Sequence, residues 1–449
     1  MGIFLLKEDF GVIAIISILY LLASGFKEVG LYQVLQEHRN EFEDKAPELT
    51  SSAQLLNLLG AIALVACAPF ISYHYEDSRL LWITVALALT LPLNISALPY
   101  KARLAIAFNF KRISRVESAS VLLSNLSMAS LAAAGAGIYS FAAAQIILTV
   151  SAFLMYRSGQ SRINAPLMPS FPALKSFASR SKWLVLSSYM SNLATRGDYL
   201  VLSMILSKGA LGLYYFSYQL MAAAVQLLGM ALNHLLLPLF SAIKHDKDRV
   251  RSGLGKAGGA LSLVSGALCL SLLIWFPFVI HWVWNGKWDE ATPLTLIVTL
   301  AVPPRLLSSP LGSSALEAMA KYRARSLISI LDAISLIGAV WIGALMDGAL
   351  GASVAIAIQR CTAGMAFYFA AASAVGESPY EATKELLSLI APYLLSVSAF
   401  AGYVVLYVGY ESFTKQPFST TLGQYAIVIA TYMALSWKHV NKNLIKRQK

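Results

Sequence analysis

The sequence predicts an all-α polytopic membrane protein: two related six-helix lobes followed by two extra C-terminal helices. Three observations carry that expectation. Apolar residues make up 57% of the chain and charged residues only 13%, against about a quarter charged in soluble domains. The apolar residues fall in blocks of roughly 17 to 25, the length that crosses a hydrocarbon core as helix. Finally, the two halves repeat each other. Pro92 and Pro99 sit seven apart in PLNISALP, and Pro303 and Pro310 sit seven apart in PPRLLSSP. Each pair follows a matching landmark, Pro69-Phe70-Ile71 or Pro277-Phe278-Val279. Upstream, Lys7-Glu8-Asp9-Phe10-Gly11 has a counterpart in Lys208-Gly209-Ala210-Leu211-Gly212. Self-similarity at this scale marks a repeated architecture.

In order, the apolar blocks lie near 10–26, 53–73, 80–99, 117–136, 138–156, 183–206, 210–240, 257–280, 291–316, 325–346, 349–374, 388–409 and 420–437, about 13 transmembrane helices. The second-half element at Lys208 follows a full span, whereas only six residues precede Lys7. The first lobe is therefore expected to be one helix short, through a misassigned start codon or a truncated gene, which the DNA upstream of Met1 would settle. The expected organisation is an N-lobe at 1–157, a basic linker at 158–182, a C-lobe at 183–375, and two extra spans with a basic tail at 376–449.

The net charge of +12 suggests nucleic acid until its distribution is considered. One set of alternate loops carries Lys101, Arg103, Lys111, Arg112 and Arg115, then Arg157 to Lys182, then Lys244 to Lys256, then Lys321 to Arg325, then the tail from Lys438. The intervening loops hold at most one cation each, such as Arg79, Lys208, Lys287 and Lys415. This is the positive-inside pattern, and it predicts cytoplasmic basic loops and a cytoplasmic C-terminus. The basic residues are thus expected to meet membrane lipids, with no nucleic-acid partner. Residues 27–50 fit less well: the same side should hold them, yet they carry Glu37, Glu41, Glu43, Asp44 and Glu48. Acidic residues weigh little in the orientation rule, so the topology stands.

Catalytic signatures are missing from the sequence. Gly253-Leu254-Gly255-Lys256 lacks the first glycine and the hydroxyl residue of a phosphate-binding loop. Neither G-x-S-x-G nor H-E-x-x-H occurs. The six histidines lack metal-ligand spacing, and Cys67, Cys269 and Cys361 read as small apolar packing residues. The expectation is a protein that is not an enzyme and needs no cofactor or metal.

What remains is charge at membrane depth. Arg196, Arg305 and Arg360 lie near the middles of spans 183–206, 291–316 and 349–374. Each costs about 2.5–3.5 kcal/mol there by insertion scales. Arg305 directly follows Pro303-Pro304, which must break the helix, and a broken helix is tolerated where it lines a cavity or packs on protein. Two readings stand side by side. The arginines could contact an anionic cargo, since the guanidinium fork suits phosphate. Alternatively, Arg196 with Asp198 and Arg360 with Asp332 could be ion pairs that lock helices. No acid lies within a helical turn of Arg305. Asn192 stands four residues before Arg196 and extends its face, while Asp198 reads as orienting Arg196.

Leu5-Leu6-Lys7-Glu8-Asp9-Phe10-Gly11, Arg196-Gly197-Asp198, Leu211-Gly212-Leu213-Tyr214, Leu237-Pro238 and Gly286-Lys287-Trp288 form an ordered set. It resembles landmarks of the Wzx-like oligosaccharide flippases of the polysaccharide transporter family, within the multidrug/oligosaccharidyl-lipid/polysaccharide exporter superfamily. A proline commonly stands in that family at the Lys7 position. The resemblance implies two bundles around a central cavity, working by alternating access in a bacterial inner membrane. It also implies a cargo, an oligosaccharide repeat unit on a polyprenyl diphosphate, bound for lipopolysaccharide O-chain, exopolysaccharide or capsule. Arg196, Arg305 and Arg360, with Asn192, would then meet the diphosphate, and a glycan polymerase with its chain-length machinery would be downstream partners. A drug/cation antiporter of the same superfamily should expose cavity acids, and a glycan polymerase or ligase should carry a large outer loop. Here mid-membrane arginines match or outnumber the acids, and the longest outer-side loop is only about ten residues.

Overall fold

A computed structural model describes residues 2–28, 30–166, 168–403, 423 and 425–434. Among them every regular element is helical, as the apolar blocks require. The helices are α1 (Lys7–Glu28), α2 (Leu31–Glu37), α3 (Phe42–His74), α4 (Arg79–Ile106), α5 (Phe110–Ala133), α6 (Tyr139–Arg157), α7 (Phe171–Ile205), α8 (Lys208–Ile243), α9 (Lys247–Trp284), α10 (Thr292–Thr299), α11 (Val302–Leu306), α12 (Ser313–Ala318), α13 (Tyr322–Ala374) and α14 (Pro379–Tyr403). A last short apolar helix, α15, covers Tyr425–Ala434. Six helices among the described residues are long and apolar enough to span a membrane, or seven if the bent segment 289–318 is one span. The protein is a multi-pass helical membrane protein. The end of the expected span 388–409, much of 420–437 and the basic tail lie outside the described residues.

The chain forms two compact units, Met1–Ser203 and Met204–Lys449. That division falls beyond the expected 158–182 linker, and packing accounts for it. Phe177 of α7 is fully buried in a cluster with Leu31, Val34 and Leu35 of α2, Phe42 and Ala46 of α3, and Ile95 and Leu98 of α4. At the far end of α7, Ser203 shares a 2.9 Å hydrogen bond with Tyr75.

In the first unit the repeat landmark Lys7–Gly11 opens α1. Asp9 accepts a hydrogen bond from the Leu6 amide at 3.0 Å and pairs with Arg79 at 2.7 Å. Arg79 also pairs with Asp77 at 2.9 Å, so one cation ties the starts of α1 and α4. The acidic stretch 27–50 finds its partners in the basic loops. Glu43 accepts from Arg103 at 2.7 Å, and Glu48 accepts from Ser170 at 2.5 Å.

In the second unit the two halves of the repeat diverge. Pro92 and Pro99 stay inside a continuous α4. Their counterparts interrupt the chain into α10, α11, a π-helical turn at Leu307–Gly312 containing Pro310, and α12. The segments Asp289–Thr299 and Val302–Ala318 are bent by 47°. The expected break at Pro303-Pro304 is present, and its stereochemistry is explicit. A proline lacks the N–H that would bond the carbonyl four residues earlier. Pro303 and Pro304 thus release the carbonyls of Thr299 and Leu300. Thr299 accepts from the Cys269 thiol of α9 at 3.1 Å, and Leu300 accepts from the Tyr393 hydroxyl of α14 at 3.1 Å. Cys269 is fully buried, as expected of a small apolar filler, but it serves as a hydrogen-bond donor as well.

α13 corresponds to the two expected spans 325–346 and 349–374. Asp347 and Gly348 leave helical geometry between them, with Gly348 at φ +50, a value that suits glycine. The arms fold back as an antiparallel hairpin. Near its tip, a side chain at Gly343 or Gly351 would run into the opposing backbone carbonyl, so small residues permit this crossing. The extra C-terminal helices pack on α9. Ser262 donates to the Leu389 carbonyl of α14, and Tyr432 of α15, fully buried, donates to the Ser262 carbonyl at 2.6 Å. Gly266 leaves the space that Tyr432 occupies. Gly266→Ala should therefore displace the Tyr432 hydroxyl and cost about 1–3 kcal/mol, read as a lower thermal unfolding midpoint of the purified protein in detergent.

Candidate functional site

After the bend that follows α10, Arg305 lines a narrow cleft of about 10 Å³ with Tyr218, Met221, Val298, Ala301, Ile356 and Arg360. Four helices converge there: α8, α10, α11 and the second arm of α13. Arg305 is half-buried, and its Nη1 donates to the Tyr218 hydroxyl at 2.9 Å. Its guanidinium carbon also stands 5.8 Å from the Tyr218 ring centroid, a cation–π separation. Tyr214, one turn earlier on α8, stacks on Tyr218 with ring centroids 6.2 Å apart, which fixes the ring that holds Arg305.

Arg360 is 8% exposed and belongs to a polar cluster across the α13 hairpin. Its Nη1 lies 3.5 Å from Asp332 on the other arm. The same carboxylate accepts from the Gln359 amide at 2.7 Å, and Gln359 also donates to Ser335 at 3.0 Å. Asp332 is therefore held more tightly by its neutral neighbour than by the arginine. An ion pair of 3.5 Å is at the weak end of charge-assisted contacts, which typically run about 2.7–2.9 Å. Two guanidinium groups consequently line one cleft, Arg305 hydrogen-bonded to an aromatic hydroxyl and Arg360 beside Asp332.

Arg196, Asn192 and Asp198 lie on α7, in the first unit. Arg196 is exposed, Asn192 is half-buried, and Asp198 is fully buried. Residues two apart on a helix do not face one another, so Arg196 and Asp198 present to different surroundings. Asn192 and Arg196, four apart, share a face.

Sequence reasoning singled out Arg305, Arg360 and Asp332, and the structure brings all three into one neighbourhood. It did not single out Tyr218, Gln359, Cys269 or Tyr393. Gln359 carried a signal, an amide beside an arginine in an otherwise apolar run. Pro303-Pro304 carried another, since two freed carbonyls call for two donors from elsewhere. Among the described residues no group of His, Cys, Asp and Glu is arranged to hold a metal ion.

Comparison with known proteins adds family and fold. The model of a family described as polysaccharide biosynthesis protein matches residues 3–293. The teichuronic acid biosynthesis protein TuaB of Bacillus subtilis (strain 168) is 23% identical over 315 residues, 68% of this chain and 65% of that protein. The lipopolysaccharide biosynthesis protein WzxC of Escherichia coli (strain K12) is 25% identical over 215 residues, 48% of this chain. The chain spans 65% and 43% of the lengths of these two relatives. Among solved structures, the lipid II flippase MurJ in an inward closed conformation superposes with a TM-score of 0.74 at 16% identity, over 98% of this chain and 94% of its own. An inward-facing multidrug resistance MATE transporter superposes at 0.60 with 13% identity, over 85% of this chain and 94% of its own. At such identities the likeness is one of fold. The matched family region contains Asn192, Arg196 and Asp198 and ends before Arg305, Asp332 and Arg360.

Proposed function

The chain belongs to the polysaccharide biosynthesis protein family, and from that premise we propose that it is a flippase. Its cargo is an oligosaccharide repeat unit linked to a polyprenyl diphosphate, moved across the bacterial inner membrane by alternating access for surface polysaccharide synthesis. The observation that carries this reading is the pairing of Arg305 and Arg360 on one cleft of an apolar bundle. A diphosphate is an anion that must cross a low-dielectric slab, where an uncompensated charge is costly. Guanidinium groups offer it forked, charge-assisted hydrogen bonds without leaving the protein. The fold is that of a lipid II flippase and of a multidrug transporter, and the two arginines favour an anionic cargo over a cationic one.

On this reading Arg196 and Asn192 form a second cationic surface, on the first unit, and Asp332 holds Arg360 until the cargo takes it over. The basic loops and the C-terminus face the cytoplasm, the chain performs no covalent chemistry, and a glycan polymerase with its chain-length machinery receives the product. The test is a strain deleted for the gene, in which the amount and leaflet of lipid-linked repeat units are measured beside surface glycan. Repeat units trapped on the cytoplasmic leaflet with surface glycan lost are the expected result. Units accumulating on the outer leaflet would mean a polymerase or ligase step instead. Normal intermediates with new sensitivity to cationic drugs would mean an antiporter.

A further inference from the structure

Two runs of the second unit lie outside the arginine cleft: Leu211-Gly212-Leu213-Tyr214 on α8, and Gly286-Lys287-Trp288 in the turn between α9 and α10. Both end in an aromatic side chain that is fully buried. Tyr214 stands behind Tyr218. Trp288 is delivered to α8 by the turn itself. Asn285 and Gly286 take φ of +54 and +77, the left-handed region that suits the glycine, and the Asp289 amide closes the turn on the Gly286 carbonyl at 3.2 Å. The Trp288 ring then lies on the Phe216 ring, with centroids 4.1 Å apart and planes 13° from parallel. Trp284 meets the same ring edge-on at 5.0 Å.

The next two residues of α8 continue from that stack. Ser217, fully buried, donates to the Ala291 carbonyl at 3.0 Å, at the entrance to α10. Tyr218 holds Arg305, on the far side of the proline break. Consecutive residues of one helix therefore pin both ends of the bent segment that carries Arg305. Side chains project about 100° apart around a helix, so Phe216 and Tyr218 point to opposite sides of α8. Any turn of α8 that takes the Tyr218 hydroxyl away from Arg305 must also slide Phe216 out of the tryptophan stack and stretch the Ser217 bond.

We propose that Trp288 and Ser217 are positioning residues for Arg305. They fix the rotation of α8, and α8, through Tyr218, fixes the direction in which the guanidinium is presented to the cleft. This rests on the flippase reading only for what the guanidinium meets there; the link from Trp288 to Arg305 lies wholly within the second unit. What the link supplies is preorganisation. A long side chain loses rotamer freedom when a ligand orders it, and one already ordered by its neighbours binds without that cost.

The experiment reads Arg305 directly. The whole protein in detergent is treated with phenylglyoxal, a guanidinium reagent, and modification of Arg305 is followed by mass spectrometry against Arg249, whose side chain is 75% exposed. Ser217→Ala and Trp288→Phe should each raise the Arg305 rate relative to Arg249 about threefold, the scale of one lost hydrogen bond. Each should also lower transport of lipid-linked repeat units at matched membrane abundance. Tyr218→Phe should do the same, and with it in place neither change should move either reading further. Ser217→Ala keeps the test decisive should Trp288→Phe fold poorly, because the Ala291 carbonyl retains its bond from Thr295 at 2.8 Å. An Arg305 rate unmoved in Ser217→Ala overturns the proposal. So do effects of full size on top of Tyr218→Phe, because a residue that only stabilises the fold does not act through the tyrosine hydroxyl. Raised Arg305 reactivity in these variants, with normal transport by Arg305→Ala, would uphold the positioning link and sink the head-group reading.

Discussion

Arg305→Ala is expected to lower transport of lipid-linked repeat units at least tenfold in a protein that still folds and reaches the membrane. The residue is half-buried on the cleft, braced by the Tyr218 hydroxyl at 2.9 Å and by the ring face at 5.8 Å. Hydrogen bonds to charged groups are worth about 1.5–3 kcal/mol, and about 1.4 kcal/mol is a factor of ten. On the flippase reading the fork would offer two such bonds to a diphosphate, so removing it should cost between one and several powers of ten. Arg305→Lys keeps the charge and loses the planar fork, so it should fall between wild type and alanine. Tyr218→Phe removes only the brace and should show a smaller loss than alanine at 305. The measurement is the inner-leaflet level of repeat units in a deletion strain carrying each variant, with membrane abundance matched. Full transport by Arg305→Ala at matched abundance would remove Arg305 from the site.

Cys269→Ala combined with Tyr393→Phe should be the most destabilising pair of conservative changes in the second unit. Each removes a single donor and little volume, so packing is nearly preserved. Each also leaves a carbonyl at the proline break with no replacement N–H in its own helix. A buried polar group left unsatisfied costs about 1–3 kcal/mol, and the two carbonyls, of Thr299 and Leu300, are adjacent. Each single variant should lose about 1–3 kcal/mol, and the double variant more than either, against a total stability of about 5–15 kcal/mol for a typical domain. Differential scanning fluorimetry in detergent, on the double variant and both singles, reads the effect. A double variant as stable as wild type would mean that the freed carbonyls have other partners. The donors also contact each other at 3.2 Å, so their contributions should couple rather than add.

Much of this arrangement is legible in the sequence because it depends on local rules. Apolar blocks of membrane length fix where the helices run, and Asp347-Gly348 between two such blocks marks the hairpin turn. Pro303-Pro304 announces a break because two consecutive carbonyls lose their partners. Pro92 and Pro99 do not break α4, since each removes one hydrogen bond in isolation, and the spacing alone does not separate the cases. Arg305 and Arg360 stand out because charge is expensive in an apolar run. What surrounds them is not legible. Tyr218 lies 87 residues from Arg305 and Tyr393 lies 93 from Leu300. A tyrosine in an apolar helix reads as core unless its hydroxyl partner is known. The same applies to Cys269, whose thiol has a role only because Thr299 is folded against it. On α7 the spacing of Arg196 and Asp198 invites pairing, and helical geometry sets them on different faces.

The donor to Leu300 comes from α14, which the repeat would class as an appendage to the lobes. Through Tyr393 that helix is built into the segment that presents Arg305, and through Ser262 and Tyr432 both terminal helices are stitched to α9. The C-terminal pair is therefore not interchangeable between relatives as a cassette. A chimera that imports foreign terminal helices must also import a hydroxyl at the 393 position, or it will inherit a proline break that nothing mends.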